Sequence, residues 1–332
     1  MVDVRLQIRL LCVLIVFLFA GAACKKKERA SEEVGLPVPE VAGGIEIIDA
    51  RGKPISLKHP AIQIVSLLPS LTEYICQLDK GHLMVGRSEW CKYPLEALDV
   101  PVVGSLNKVD DSKISRLTPD VVLVSALMPD NQIEHLESLG TTVIVFDHQN
   151  WGSICRDLEV LGKVLGASGD VKTLIAWLER HRRTVANELN SIEDTTPIRT
   201  AVLYSLDPLS SAGKNTFIDE FISLSGGVNV AADLPSNWPT LTVEELIQRQ
   251  PEVLLISSEV EASVDSKAKL AKLTQDPHWS QLPALKNNRV YILDADTLTV
   301  PGPRQVVALA QIAAALHPEL FDAPVGLRHL DR

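Results

Sequence analysis

Short apolar runs, rich in β-branched residues, recur along this chain and alternate with helix-type patterns, and this alternation constrains the fold more than any other feature. Within each run nearly every position is apolar, instead of every second one. Such runs are typical of parallel strands that are covered on both faces of a sheet. The runs occupy residues 62–67, 121–124, 142–146, 201–204, 253–256 and 289–293. The sequence therefore predicts two groups of parallel strands, one in each half of the chain.

Amphipathic segments with helical spacing lie between these runs. In the first half, one helix is predicted to begin near Pro69 and another to cover residues 131–139, ending at Gly140. In the second half, helices are predicted at residues 217–225 and 243–249. Strands that alternate with helices in this way predict an α/β fold of two lobes, each with a mainly parallel sheet.

A long stretch without strand patterns separates the two halves. Residues 152–165 form one amphipathic pattern, and residues 170–192 form a second that contains neither proline nor glycine. At 1.5 Å per residue the second helix would be about 34 Å long, and a continuous helix is a rigid strut between the lobes. The predicted organisation is an N-terminal lobe at 44–150, a helical region at 151–196 and a C-terminal lobe at 197–325.

The N-terminal residues 1–24 predict export from the cytoplasm. Two arginines come first, then an apolar run, then the small residues 21–23 and Cys24. This order is typical of an export signal, and its end resembles the lipobox of bacterial lipoproteins, although Gly21 stands where leucine is usual. Cys24 is therefore predicted to be lipidated and to anchor the protein to a membrane outside the cytoplasm, in the periplasm or at the cell surface, with residues 25–43 as a polar tether. The alternative is an uncleaved membrane helix, for which the apolar run is short.

Composition excludes several classes of function. The 332 residues carry a formal net charge of −10, which argues against nucleic acid as a partner, because phosphate binding needs a basic surface. The eight histidines are scattered, so no metal site is predicted. No nucleophile elbow, phosphate-binding loop or dinucleotide fingerprint is present, and the chain is predicted not to be an enzyme. Beyond the signal the cysteines are Cys76, Cys91 and Cys155, of which Cys76 and Cys91 are allowed, but not required, to form a disulfide.

Six motifs, taken in order, resemble one family. They lie at residues 64–73 (IVSLLPSLTE), 85–94 (VGRSEWCKYP), 117–123 (LTPDVVL), 226–229 (GGVN), 238–245 (WPTLTVEE) and 301–304 (PGPR). This ordered set is similar to that of the periplasmic binding proteins of bacterial importers for cobalamin, siderophores and haem. The resemblance implies two α/β lobes joined by one long helix, with a ligand cleft between them. It also implies a monomer without a cofactor that delivers its ligand to the permease of an ABC importer.

The resemblance further implies which residues line the cleft. In open α/β sheets ligands bind beyond the carboxyl ends of the strands, and the motifs fall in loops there. The segment 86–94 is most similar to cobalamin-binding members, in which aromatic residues at the positions of Trp90 and Trp238 would hold a corrin ring from opposite lobes. The alternative is that both tryptophans are partly buried core residues. The other implied contacts are Ser88, Tyr93, Ser125, Ser210, Gly213, Pro301, Gly302, Pro303 and Arg304.

The sequence leaves alternatives for the role of Arg304 and for the identity of the ligand. The guanidinium of Arg304 is expected to donate to a polar group of the ligand, with capping of the following helix or pairing with an aspartate as alternatives. The ligand is also open, because Ser105 and Ser125 stand where closely similar cobalamin binders have further tryptophans. Cobalamin or a related corrinoid is the first expectation, and a ferric siderophore or haem is the alternative.

A second predicted function is docking onto the permease. Members of this family meet the transporter through one exposed glutamate on each lobe, and Glu244 matches the position on the second lobe. On the first lobe the chain has Ser112 at that position, so one of the two aspartates just before it, Asp110 or Asp111, is expected to substitute, with Asp111 favoured. Charged contacts of this kind steer and orient association more than they supply affinity. The alternative is that Glu244 only favours the start of a helix.

Overall fold

The structure is a computed structural model, and it describes residues 44–106, 108–190, 196–258, 276–324 and 327–329. The predicted signal with Cys24 and the predicted tether lie outside these residues. Within the described part, no helix is both long and apolar enough to cross a membrane.

The N-terminal lobe is built on a wholly parallel sheet. An antiparallel hairpin precedes it, formed by β1 (Ile45–Ile48) and β2 (Pro54–Leu57). The strands of the sheet are β3 (Ile64–Ser66), β4 (Met84–Ser88), β5 (Val102–Gly104), β6 (Val121–Ser125) and β7 (Val143–Phe146). They lie in the order β5-β4-β3-β6-β7, with every neighbouring pair parallel. Every residue of β6 and β7 is buried, as a strand covered on both faces requires.

The C-terminal lobe is built on a mixed, seven-stranded sheet. Its strands are β8 (Ile198–Leu206), β9 (Leu209–Ser211), β10 (Gly227–Asn229), β11 (Thr240–Leu241), β12 (Val253–Ser257), β13 (Val290–Leu293) and β14 (Arg328–His329). The order is β11-β9-β8-β12-β13-β14, and β10 also pairs with β8. The pairs among β8, β10, β12 and β13 are parallel, as predicted, whereas β9, β11 and β14 join antiparallel. Because β14 belongs to this sheet, the lobe extends past its predicted end at residue 325.

The described α-helices are α1 (Pro69–Gln77), α2 (Asp111–Leu117), α3 (Asp130–Ser138), α4 (Trp151–Val164), α5 (Ser168–Leu189), α6 (Phe217–Leu224), α7 (Val243–Arg249), α8 (Pro283–Lys286), α9 (Ala295–Thr299) and α10 (Gln305–Leu316). Six helices, α1 and α3 to α7, lie close to positions that the sequence predicts, and the other described α-helices were not assigned in advance. Helix α7 has the bounds that its pattern predicts. It begins with a capping box, in which the Thr242 side chain accepts a bond from the Glu245 amide and the Glu245 carboxylate accepts one from the Thr242 amide.

Helix α5 is the long connection between the lobes. It has 22 residues, which gives a length of about 33 Å. It begins two residues before the predicted start at 170, and part of its predicted C-terminal end falls in residues 191–195, outside the described residues. Its buried residues are Val171, Leu174, Leu178 and Val185. They belong to one apolar core with residues of both sheets, among them Phe146 of β7 and Val202 of β8, so the helix is packed into both lobes.

Candidate functional site

The two lobes meet through segments that follow the carboxyl ends of their strands. Gln149 follows β7, and its carbonyl oxygen accepts a hydrogen bond from the Phe217 amide at 2.6 Å. The Gln149 side-chain oxygen accepts a second bond from Asn237 Nδ2 at 2.5 Å. In another interlobe contact, Gln305 Nε2 donates to the Tyr74 hydroxyl at 2.8 Å. Because α/β proteins bind ligands at this edge of their sheets, the space bordered by these contacts is the candidate cleft.

Two exposed tryptophans stand on loops at this edge. Trp90 follows β4 and is 56% exposed, and Trp238 precedes β11 and is 37% exposed. Neither tryptophan belongs to the buried core, and contact of either with a ligand stays a prediction. Lys92 Nζ lies 5.2 Å from the centre of the Trp90 ring, and the Trp238 ring meets the Tyr204 ring edge-on with centroids 5.6 Å apart. The bond from Asn237 to the N-terminal lobe holds the loop of Trp238 next to that lobe.

A bidentate ion pair joins the lobes at the same edge. Arg304 Nε donates to Glu73 Oε2 at 3.1 Å, and Arg304 Nη2 donates to Glu73 Oε1 at 2.6 Å. The Glu73 side chain is only 2% exposed and that of Arg304 is 20% exposed. Asp296 Oδ2 lies 3.8 Å from Arg304 Nη2, and the guanidinium carbon lies 4.1 Å from the centre of the Tyr93 ring. We call Glu73, Tyr93, Asp296 and Arg304 the interlobe charge cluster.

Burial disfavours the charged forms of both partners in the Glu73–Arg304 pair. For Glu73, burial outweighs the hydrogen bonds and charge of Arg304, and the pKa of the carboxyl is raised. For Arg304, burial acts to lower the pKa, but the hydrogen bonds and charge of Glu73 outweigh it and the pKa is raised. Two short, parallel bonds are typical of a guanidinium with an ionised carboxylate. We therefore treat the pair as charged at neutral pH.

The motif at residues 301–304 supplies the arginine of this pair and a glycine that leaves room for the Glu73 carboxylate. Arg304 occupies the residue before α10 but makes no side-chain capping bond, so the helix-capping alternative is wrong. Gly302 is buried, and a Cβ atom there would lie 2.5 Å from Glu73 Oε2. Pro303 is buried as well and Pro301 is partly buried. Contact of Arg304 and Pro301 with a ligand stays a prediction.

Sequence reasoning missed Glu73, whose partner lies 231 residues along the chain. Glu73 is part of a motif on which the family resemblance rests, but it received no role. The available signal was a single carboxylate in helix α1, every other residue of which is uncharged. A charged residue of this kind that is almost fully buried needs a partner.

Two serines that were expected to line the cleft are buried by the protein itself. Ser88 is 0% exposed, and its Oγ lies 3.1 Å from Cys91 Sγ. Ser125 is 4% exposed, and its Oγ accepts a bond from the Leu127 amide at 3.1 Å. Contrary to the expectation, neither hydroxyl is open to a ligand in this structure, because each turns toward the backbone or side chain of its own loop.

Gly213 positions the loop that carries Trp238. Its amide donates to the Asn237 carbonyl oxygen at 2.8 Å, and a Cβ atom at Gly213 would collide with the Ser236 carbonyl oxygen. Gly213 is itself buried, so it acts by allowing the two backbones to approach closely. Ser210 lies in β9 opposite Thr240 and is partly buried, and its contact with a ligand stays a prediction.

The two predicted docking carboxylates differ in their surroundings. Glu244 is exposed in the first turn of α7. Asp111 is partly exposed in the first turn of α2, and its Oδ2 lies 2.9 Å from His135 Nε2. Asp111 therefore has a hydrogen-bonding neighbour on α3, whereas Glu244 lies open on the surface. Docking by either residue stays a prediction.

A buried histidine and aspartate lie behind the junction of the lobes. His148 is 4% exposed; its Nδ1 lies 2.8 Å from Ser70 Oγ, and its Nε2 has no hydrogen-bond partner. Burial lowers the pKa of His148 to about 3. Asp157 accepts bonds from the amides of Asp147 and His148 at 2.7 and 2.9 Å, yet burial outweighs these bonds and raises its pKa to about 7. His148 is thus neutral and structural at neutral pH.

Among the described residues, neither the cysteines nor other potential metal ligands form a further site. Cys76, Cys91 and Cys155 are free, so the bridge that the sequence allows between Cys76 and Cys91 is not formed. Burial raises the pKa of Cys76 to about 12 and that of Cys155 to about 11. In the described part of the chain, no three or more histidine, cysteine, aspartate or glutamate side chains are grouped to hold a metal ion.

Comparison with known proteins assigns the chain to a class. The family model of periplasmic binding proteins matches residues 64–297, which run from β3 to beyond β13, and the chain belongs to this family. A substrate-binding lipoprotein of an ABC transporter in Bacillus subtilis, YvrC, whose function is uncharacterised, is 28% identical over 282 residues, covering 83% of this chain and 87% of the relative.

Two solved structures are similar over most of both chains. The periplasmic vitamin B12-binding protein BtuF of Vibrio cholerae has a TM-score of 0.63 and 27% identity, covering 78% of this chain and 98% of the other. The periplasmic haem-binding protein RhuT of Roseiflexus sp. RS-1 has a TM-score of 0.67 and 25% identity, covering 77% and 98%.

These similarities define the general role of the chain. It is the substrate-binding component of an ABC transporter, works outside the cytoplasm and is not an enzyme. Its partners are a transporter permease and a small-molecule ligand. The edge where the two lobes meet is the candidate site for such a ligand, because α/β proteins bind ligands beyond the carboxyl ends of their strands.

Proposed function

We propose that this protein binds cobalamin or a related corrinoid between its lobes and delivers it to the permease of an ABC importer. The observation that carries the ligand proposal is the pair of exposed tryptophans, Trp90 and Trp238, one on each lobe at the edge where the lobes meet. The similarity to a vitamin B12-binding protein supports it.

Two exposed indole rings suit a ligand that has wide, flat faces. Each tryptophan can remove a large apolar area from water when it lies against a ring, and dispersion adds to that gain. We expect a dissociation constant of about 10 nM to 1 μM, which corresponds to roughly −11 to −8 kcal/mol.

Isothermal titration with cyanocobalamin, cobinamide, hemin and a ferric siderophore tests the ligand assignment. Trp90→Ala and Trp238→Ala should each weaken corrinoid binding by about tenfold or more, the effect typical of a central aromatic contact. Trp177→Phe is the matched control, because Trp177 packs on His181 of helix α5, with ring centroids 4.3 Å apart. No heat with any corrinoid would remove the ligand assignment, and full affinity in both alanine variants would remove the binding mode.

Haem is the second candidate, and Tyr93 is the observation that favours it. A tyrosine hydroxyl is one of the side-chain groups that ligate haem iron. Tyr93 is partly exposed, and although burial raises its pKa, the charge of Arg304 acts in the opposite direction. Hemin titration should then give a shifted Soret band that Tyr93→Phe abolishes. An unshifted band, together with corrinoid binding, would exclude haem as the ligand.

We also propose that the protein is a lipoprotein anchored through Cys24. Growth with a labelled fatty acid should label the wild type, and Cys24→Ser should abolish the label and release the protein from the membrane. Label that persists in Cys24→Ser would contradict the anchor.

Docking onto the permease is proposed to use Glu244 and Asp111. Reconstituted transport should fall several-fold in Glu244→Arg, because a reversed charge opposes the oriented encounter. Glu159→Arg, an exposed position on helix α4, is the matched control. Ligand affinity should be unchanged in both variants. Sedimentation of the purified protein should give the mass of one chain, since a monomer is proposed.

A further inference from the structure

Within the interlobe charge cluster, most of the Arg304 guanidinium is already in contact with other side chains. Glu73 occupies one edge of the Arg304 guanidinium through two hydrogen bonds. The Tyr93 ring covers one face at 4.1 Å, and Asp296 approaches Nη2 to 3.8 Å. Two carboxylates thus face one guanidinium, and the cluster carries a net charge of −1 when all three groups are ionised.

This arrangement is built by both lobes. Glu73 comes from α1 in the first lobe, and Arg304 and Asp296 come from the second. Gly302 lies against the carboxylate so closely that any side chain there would displace it. The Glu73 carboxylate is buried while Asp296 is 59% exposed, so one acid is fixed beneath the guanidinium and the other faces solvent.

We propose that the interlobe charge cluster selects ligands by charge, with Glu73 and Asp296 as specificity-determining residues that disfavour anionic ligands and admit uncharged or cationic ones. A ligand carboxylate that approaches Arg304 meets two carboxylates already in place. Repulsion of this kind excludes competitors rather than adding affinity for the right ligand. Arg304 is then a positioning residue for the two acids and not the ligand's hydrogen-bond donor. This inference rests on the proposed function.

A matched pair of ligands isolates the effect of charge. Cyanocobalamin is uncharged overall, and each of its monocarboxylic acids differs by the hydrolysis of one side-chain amide. We expect the wild type to bind at least one of these acids about tenfold more weakly than cyanocobalamin, the factor for one unit charge roughly 10 Å away at an effective dielectric constant near 20. Titrations should be made at low ionic strength, because salt screens this repulsion.

Four variants change the charge of the cluster in defined steps. Glu73→Gln and Asp296→Asn each remove one negative charge, and the acid should then bind nearly as well as cyanocobalamin. Arg304→Gln removes the positive charge, and the discrimination should grow to about a hundredfold by the same Coulomb relation. The double variant Glu73→Gln/Arg304→Gln restores the wild-type net charge, and the discrimination should return to about tenfold. Asp296→Asn lies at an exposed position and tests the inference even if the buried variants fold poorly.

The outcomes separate this inference from the proposed function. If the wild type binds cyanocobalamin and all its monocarboxylic acids equally well, the inference is overturned and the proposed function stands. Discrimination that is unchanged in Asp296→Asn and Glu73→Gln also overturns it. If no corrinoid binds but hemin does, hemin and its uncharged dimethyl ester replace the corrinoid pair, and tighter binding of the ester supports the inference. If neither ring system binds, the proposed function fails and the inference with it.

Discussion

Replacing Gly302 with alanine tests whether the interlobe ion pair requires the close approach described above. The new Cβ would lie 2.5 Å from Glu73 Oε2 and 2.9 Å from Cδ, so the carboxylate must move and its two bonds to Arg304 must lengthen. Hydrogen bonds to charged groups contribute about 1.5–3 kcal/mol each. The bonds are lengthened and not removed, and Arg304 keeps contact with water at 20% exposure, so the buried Glu73 carboxylate keeps its partner and the full penalty of a stranded charge does not apply. We expect the free energy of unfolding to fall by about 2 kcal/mol.

Urea unfolding followed by tryptophan fluorescence measures this change. Gly169→Ala is the matched control, because no atom lies within 4 Å of a Cβ there, and alanine in helix α5 should raise stability by up to about 1 kcal/mol. The decisive comparison repeats Gly302→Ala in a Glu73→Ala background, where the displaced carboxylate is gone and the cost should nearly vanish. An equal cost in both backgrounds would refute the reasoning.

Three further predictions follow from the same structure. Gly213→Ala should lower the free energy of unfolding by about 2–3 kcal/mol, because the backbone of Ser236 cannot swing away from the new methyl group, and an unchanged melting temperature would contradict this. Burial raises the pKa of Asp157 to about 7, so the folded protein favours the neutral carboxyl and loses stability as pH rises from 4 to 7. Burial lowers the pKa of His148 to about 3, so the folded protein favours the neutral imidazole and loses stability as pH falls below about 6.5. The two trends oppose each other in the wild type, and only the histidine trend remains in Asp157→Asn. The free energy of unfolding of this variant should therefore rise from pH 4.5 to 7.5 by roughly 3 kcal/mol more than that of the wild type. Urea unfolding at each pH measures this, and parallel profiles would contradict it. Cys91 is fully buried and should resist a thiol reagent in the folded protein but react in urea, and rapid labelling without urea would show the burial to be wrong.

Elements with a strong local signal are the ones that the sequence predicts. Strand β6 is apolar at four of its five positions, and helix α7 carries its own capping box, so both are recognisable from their residues alone. The antiparallel strands β9, β11 and β14 have two or three residues each. Segments so short have no periodicity, and they become strands only because a neighbouring strand offers them hydrogen bonds.

The residues of the candidate site also differ in how far local sequence predicts them. The loops of Trp90 and Trp238 were found through motifs, and their exposure agrees with a surface role. The direction of a serine hydroxyl at the end of a strand depends on atoms in its own loop, and therefore Ser88 and Ser125 were misjudged. The role of Glu73 depends on a partner in the other lobe, which no local pattern reveals.

The apolar core that helix α5 shares with both sheets also limits how far the two lobes can open to release a ligand. A wide separation of the two lobes would expose part of that core, and each Å² of apolar surface brought into contact with water costs about 25 cal/mol. We therefore expect the two lobes to separate only slightly in the free protein. If the ligand leaves by separation of the lobes, the permease has to supply the free energy of exposing that core.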